Sequence, residues 1–245
     1  MARTQGSSGS YGQYCPLALA TELLCRRWTI LIVSRLIDGC TTFNEIHQGV
    51  PRISPSLLST RLGELEHAGI VTRKKRKNTR GHTYEVTQAG RDLEDIITNL
   101  AVWGQHWARD NDMDDLDLGF LAWSMSLRIN SDQMPPGRTV LEFEFSGAPT
   151  DFRRFWLVNN DGKIDMCFKH PGYDTDLLVR ADLRVFVETW RGFRNLSTEI
   201  RASRVRLTGP RDLKKAFPNW LMLSMFADIE RKAPGRERRL SSRQQ

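Results

Sequence analysis

The densest chemistry in this chain is charge. Six cations, Arg73, Lys74, Lys75, Arg76, Lys77 and Arg80, fall within the eight residues from 73 to 80. Like charges at that density resist compaction unless water solvates them or a polyanion neutralises them, so the stretch is a candidate phosphate-binding surface. The bland alternative is a solvated strand edge guarded by lysine. Groups suited to catalysis form no such concentration. The cysteines (Cys15, Cys25, Cys40, Cys167) contain no C-x-x-C pair, which argues against a zinc module and a disulfide scaffold. With the histidines (His47, His67, His82, His106, His170) they build no recognisable nucleophile, metal-ligand or phosphate-loop pattern. The expectation is a non-enzyme with no metal site and no cofactor.

The elements that must carry these cations follow from composition and spacing. A chain of 245 residues that is 40% hydrophobic can bury a substantial core as one large or two small domains. No apolar run approaches the roughly 18 residues that span a bilayer, and the opening "MARTQGSSGSYGQY" lacks a signal core. A cytoplasmic protein with a flexible tail over 1–13 and no membrane partner is expected. The net charge of +7 is uneven: residues 1–110 carry +4, residues 111–230 carry −2 and residues 231–245 carry +5. The aspartate-rich stretch "RDNDMDDLDLG" separates two apolar-periodic regions, has the composition of a hinge or helix start and marks a linker at 112–119, with helical apolar spacing from Leu116 to Ile129. Beyond residue 230 the tail lacks apolar periodicity and reads as disordered.

In the first region "LALATELLCRRWTILIVSRLI" repeats apolar residues at helical spacing, with Arg26-Arg27 separating two helices. Thr42 with Glu45 three residues on predicts a capped short helix, and Ser54-Pro55 opens another that ends at Gly69. Leu58, Leu62 and Leu65 share one face of that helix, which turns Ser56, Ser59, Thr60 and Gly63 outward. Next come a strand, the basic turn and a returning strand, with Val71 and Tyr84 facing inward. A helix with an open polar face followed by a cationic hairpin is the order of a winged helix-turn-helix: the helix enters the major groove of double-stranded DNA and the wing lies along phosphates. Ser56, Ser59, Thr60 and Gly63 are then the base-edge candidates. A helix predicted from Gln88 to about Asp110 carries Leu93, Ile96, Leu100, Trp103 and Trp107 as an apolar stripe, which either packs on its own core or meets another helix.

Several separated segments, "YCPLALATELLCRRWTILIVSRLIDGCTTFNEI", "ISPSLLSTRLGELEHAGIVTRK", "YEVTQAG" and "LAVWGQHW", resemble the HxlR family of bacterial winged helix-turn-helix regulators, a MarR-like group. The chain departs from the family at Cys25-Arg26-Arg27-Trp28, where Gly-Gly-Lys-Trp is usual, and in "TRGHTYEVT", where a wing proline is common. The resemblance implies a DNA-binding and dimerisation domain over residues 14–111. It also implies a homodimer joined through the Leu93–Trp107 stripe, reading a palindrome. Cys15 falls where the family carries an often reactive cysteine, so the resemblance implies a redox-sensing role. Such a role needs exposure and a lowered pKa, for which Arg26 or Arg27 could supply positive charge if the fold brings them near; a small buried residue at a helix entrance would look the same.

In the second half the period changes. "TVLEFEF", "FRRFWLVNNDG", "KIDMCFK", "TDLLVRA" and "SRVRLTG" read as strands; "DLRVFVETWRG", capped by Asp182, and "RDLKKAFPNWLMLSMFADIER" read as helices. This α+β order, over residues 120–230, resembles the sterol-carrier-protein-2-like fold, in which a sheet covered by helices encloses an apolar tunnel. The resemblance implies a sensor for a small apolar ligand, with Phe143, Phe145, Trp156, Met166, Trp190, Trp220, Leu223 and Phe226 as candidate lining; ordinary core is the competing reading for each. The combined expectation is a dimeric repressor modulated by that ligand or by oxidation of Cys15. The alternative is a hydrophobic-ligand carrier whose N-terminal domain is a protein-interaction adaptor.

Overall fold

A computed structural model of the chain describes residues 10–76, 81–108 and 116–232. Its Cα positions group into two compact units, Met1–Asn99 and Leu100–Gln245.

The first unit begins with α1 (Pro16–Leu24) and α2 (Thr29–Ile37). They are parted, as the paired arginines predict, by a turn in which Trp28 takes the left-handed conformation at φ 80°. Helix α3 (Phe43–Gly49) starts with a complete capping box between Thr42 and Glu45. Helix α4 (Pro55–His67) starts where Ser54 accepts the Leu57 N–H with Pro55 at the first turn. Leu58, Leu62 and Leu65 of α4 are buried, as are Ile32, Val33 and Leu36 of α2 and Ile46 of α3. Strands β1 (Val71–Lys75) and β2 (His82–Val86) pair antiparallel, and Val71 and Tyr84 are buried as their alternation requires.

The single helix expected from Gln88 onward is two: α5 (Gln88–Arg91) and α6 (Glu94–Trp107). The Thr87 hydroxyl accepts from the Gly90 N–H at the start of α5, where the sequence places the helix start, and donates to the Gly69 carbonyl, tying α5 to the residues that follow α4. Gly90 is packed so tightly that a Cβ there would lie 2.5 Å from the Ile70 carbonyl oxygen. Residues 109–110, the expected end of that helix, lie outside the described residues.

The second unit, which includes the C-terminal part of α6, continues with α7 (Leu118–Ser126), capped by Asp117, so the helix begins inside the stretch read as linker. Its sheet contains β3 (Arg138–Ser146), β4 (Arg154–Asn160), β5 (Lys163–Cys167), β6 (Leu177–Asp182) and β7 (Val205–Thr208), in the order β5-β4-β3-β6-β7. The β3–β6 pair is parallel and its neighbours are antiparallel. Helices α8 (Leu183–Trp190), α9 (Leu196–Arg201) and α10 (Arg211–Trp220) complete the unit. Asp182 caps α8 as the sequence predicts, whereas α9, capped by Asn195, was not anticipated. Helix α10 stops at Trp220, well short of Arg231. Pro218 removes one N–H from its last turn, and the chain then runs extended to bridge Ile129, with the Trp220 carbonyl accepting from Asn130.

One face of the sheet presents Leu141, Phe143, Phe145, Phe155, Leu157 and Val179 to a core completed by Phe186, Trp190, Phe217 and Trp220. The rings are closely packed, Phe143 stacking on Phe155 with centroids 4.8 Å apart and Phe145 meeting Phe186 at a tilt with centroids 5.0 Å apart. The other face carries a separate cluster of Val140, Trp156 and Val158. Residues 168–176 cross this face on the way from β5 to β6: His170 meets Trp156, Thr175 bonds Glu142, and Asp176 bonds Val140. Replacing Phe143 with Ala should therefore lower stability by about 3–5 kcal/mol, the range for a buried aromatic, while Phe152→Ala, on an exposed side chain, should stay within about 0.5 kcal/mol. Urea unfolding of the two variants checks this.

Candidate nucleic-acid interface

The outward face of α4 is short and polar. Ser56, Ser59, Thr60 and Gly63 are all exposed, on the side opposite the leucines. The Thr60 hydroxyl donates to the Ser56 carbonyl at 3.0 Å, which leaves its oxygen lone pairs facing outward as acceptors. Ser59 keeps a hydroxyl that can donate or accept at a base edge. The longer cations nearby are tied inward: Arg61 bonds the Arg27 carbonyl and Glu64, and Arg26 reaches the same Glu64 at 3.0 Å. Those two arginines orient α4 against the turn before α2 and are not part of its open face.

The wing is fixed to the same scaffold through its backbone. The Tyr84 N–H donates to the Thr41 carbonyl at 2.7 Å, and Thr83 forms a β-bridge with Thr42, the N-cap of α3. Along β1 the cations alternate faces, with Arg73 opposite Tyr84 and Lys74 opposite Thr83. Two are held by carboxylates: Lys74 by Glu85 at 2.6 Å and Arg73, loosely, by Glu66 at 3.9 Å. Lys75 and Arg76 are exposed and have no ion pair among the described residues. Lys77 and Arg80 lie outside the described residues. Exposed pairs of this kind contribute roughly 0–1 kcal/mol, so a phosphate can replace either carboxylate at small cost. Glu66 and Glu85 were not singled out in the sequence reading, because only the strand register shows which acids lie beside the basic run.

Cys15 is exposed at the start of α1. Its thiol pKa is lowered below the ordinary value by the backbone N–H groups of Ala18 and Leu17 in the first helical turn. The arginines expected to do this do not: Arg26 pairs with Glu64, and Arg27 lies over the Trp28 ring. Cys40, by contrast, is buried, and its pKa is pushed up to about 11 by desolvation and by nearby Glu45.

The apolar stripe of α6 faces solvent. Ile96, Leu100, Trp103 and Trp107 are 51%, 48%, 59% and 49% exposed, which excludes their packing on the chain's own core; Leu93 is half-buried. On the same helix Gln105 is buried, exchanging hydrogen bonds with Arg191 through both its amide atoms.

Six of the eight candidate pocket residues share one packed core, Leu223 lying at its partly buried edge. Phe143, Phe145, Trp190 and Trp220 are buried in the core, and Met166 packs against it. Trp156 projects from the opposite face of the sheet, where its indole N–H has no hydrogen-bond partner. Leu223 and Phe226 follow the end of α10, and Leu223 borders a small cleft of about 340 Å³ beside Gly192 and Pro218. Alternation marks Phe143, Phe145 and Met166 as belonging to a buried face, and burial alone does not distinguish a pocket wall from packed core. Among the described residues there is no cluster of ligands for a metal ion and no helix long and apolar enough to cross a membrane.

Comparison with known proteins agrees with the geometry of the first unit. A family model described as HxlR-like helix-turn-helix matches residues 23–112. The Bacillus subtilis protein named "Uncharacterized HTH-type transcriptional regulator YvaP" is 35% identical over 97 residues, which are 39% of this chain and 90% of that protein. The HTH-type transcriptional regulator YodB of B. subtilis is 34% identical over 100 residues, 40% of this chain and 89% of that one. Among solved structures, the reduced form of YodB matches with 33% identity and a TM-score of 0.36, covering 41% of this chain and all of that one. The redox regulator HypR in its reduced form matches with 31% identity and a TM-score of 0.35, covering 36% and 89%. With a relative this similar along nine-tenths of its own length, the chain belongs to the HxlR-like helix-turn-helix family of transcriptional regulators.

Proposed function

We propose that the chain is a homodimeric repressor that occupies palindromic operator DNA in the cytoplasm, at the nucleoid when bound. The observation that carries this reading is the juxtaposition of an exposed, short-side-chain face on α4 with a cationic hairpin anchored at Thr41 and Thr42. Helix α4 enters the major groove with Ser56, Ser59, Thr60 and Gly63 at base edges, and Arg73 to Arg76 follow the phosphates, joined by Lys77 and Arg80. Residues 14–111 form the DNA-binding and dimerising domain, and the solvent-facing stripe of α6 is the two-fold seam that spaces two recognition helices along one face of the duplex. Residues 120–230 form a sterol-carrier-protein-2-like sensor, supported by a five-stranded sheet with helices on one face. Its ring-filled core means that an apolar ligand entering there must displace packed side chains. HypR is described as a redox regulator; here Cys15, exposed and with a stabilised thiolate, is the residue through which an oxidant or electrophile lowers operator occupancy.

Binding to the gene's own upstream region, titrated against salt, tests the wing. Changing Lys74, Lys75, Arg76 and Lys77 together to Ala should weaken binding by at least about tenfold and flatten the slope of log K against log salt by about 2–4, since each lost phosphate contact removes roughly 0.9. Superimposable curves would remove the wing from the interface and favour the carrier reading. Trp103→Glu should convert the dimer to monomer in sedimentation velocity, because a carboxylate cannot be desolvated in an apolar seam. Alkylation by iodoacetamide, mapped by mass spectrometry, should reach its plateau rate at Cys15 well below the pH needed at Cys40. The lowered pKa makes thiolate available earlier as pH rises, while Cys40 stays protonated until near its value of about 11.

A further inference from the structure

An open cleft of about 620 Å³ lies in the second unit where the carboxyl ends of the parallel strands β3 and β6 meet the starts of β4 and β7. Its volume falls within the roughly 300–1,000 Å³ usual for small-molecule sites, and the crevice beyond the carboxyl ends of parallel strands is where open sheets commonly hold ligands. Arginines from separate segments line it: Arg153 before β4, Arg180 on β6, and Arg204 and Arg206 at β7. The strand register sets Glu144, Arg180 and Arg206 side by side on β3, β6 and β7, so two cations are direct neighbours. Like charges directly opposite one another destabilise a sheet unless something offsets them.

The chain's own carboxylates offset only part of this charge. Glu144 binds Arg180 at 2.6 Å and, on its other side, Arg154 at 2.6 Å. Arg204 is held by the buried carboxylate of Glu199. Arg153 and Arg206 have no carboxylate partner among the described residues. Each instead donates its Nε–H to a backbone carbonyl, of Thr150 and Ser203 respectively, which steadies the base of the guanidinium. Ser203, also in the cleft wall, takes the left-handed conformation at φ 57° because it closes α9, its N–H donating to the Ile200 carbonyl and that of Arg204 to the Glu199 carbonyl. The remaining wall is apolar, from Phe145, Ala181 and Val185.

We infer that this cleft binds a small organic anion, a compact carboxylate or phosphate head on an apolar body, with Arg153 and Arg206 gripping the head and Phe145, Ala181 and Val185 receiving the body. Glu144 and Asp182 within the same walls disfavour a continuous polyanion such as DNA, whereas a single anionic head meets less of that repulsion because Glu144 is already paired with Arg180 and Arg154. The inference gives the sensor a ligand class, and it rests on the regulator reading only for its consequence at the operator.

Isothermal titration of the full chain without DNA tests it, using octanoate, octyl phosphate, octanol and inorganic phosphate as probes. Octanoate or octyl phosphate should bind at least about tenfold more tightly than either octanol or inorganic phosphate, and the tighter of the two identifies the head. Arg153→Gln with Arg206→Gln should weaken that binding about tenfold or more, with the thermal transition retained because both side chains are exposed. Octanol binding as tightly as the anions, no binding by either amphiphilic anion, or an unchanged affinity in a folded double variant would overturn the proposal. If the variant does not fold, the comparison of octanoate and octyl phosphate with octanol on the natural chain still decides. The same variant should leave the salt slope on DNA unchanged; a flatter slope would make the cleft a phosphate contact and overturn the small-anion reading. Because the wing variant should retain anion binding, failure of the DNA reading and failure of this one are separable.

Discussion

The DNA-facing half depends on one backbone hydrogen bond, from the Tyr84 N–H to the Thr41 carbonyl, together with the adjoining bridge between Thr83 and Thr42. A two-stranded hairpin is at best marginally stable alone, and one with this many cations would splay. Pairing β2 with the residues that cap α3 gives the hairpin a third neighbour and fixes its direction relative to the helices that pack on α3 and α4. Tyr84 reinforces the join by being buried where Arg73, its cross-strand partner, is not. Thr42 therefore serves twice, as the N-cap of α3 and as the wing's anchor, so helix start and wing position are set by the same few atoms.

That anchoring explains how the basic run is tolerated. Alternation along β1 sends successive cations to opposite faces, which separates nearest neighbours by the width of the ribbon. Glu85 from the partner strand and Glu66 from α4 then soften what remains, at distances that keep both pairs wet. Such pairs are weak in water and are screened further by salt, so they lower the hairpin's self-repulsion without competing seriously with a phosphate.

Local signals in the sequence carried most of the fold. Caps at Thr42, Ser54 and Asp182 and the leucine face of α4 predict elements that the structure contains, since each depends on residues within one or two turns. The misplaced end of α10 has a different cause: the Trp220 carbonyl accepts from Asn130 and Leu221 bridges Ile129, partners distant along the chain. The candidate base-edge face was legible because it is the complement of a buried stripe. The expected pocket was less so: alternation says that Phe143 and Trp156 are each on a face, and only the strand register shows that the faces are opposite ones.

The register also decides where the second unit can be functional. The connection from β5 to β6 must return along the sheet to begin a strand parallel to β3, and it does so across the face that the helices leave bare, covering Trp156, Val140 and Val158. That covering stops short of the carboxyl ends of β3 and β6, where arginines from segments far apart in the chain come together. No sequence window contains them, and no periodicity links Arg153 with Arg206. Their shared location follows from topology: reversing β4 and β7 against the parallel pair brings the beginnings of those strands to the same end of the sheet as the terminations of β3 and β6. Phe145, which also belongs to the core, and Val185 of α8 form part of the apolar wall of that cleft, so the layer that packs the core also borders an arginine-rich edge.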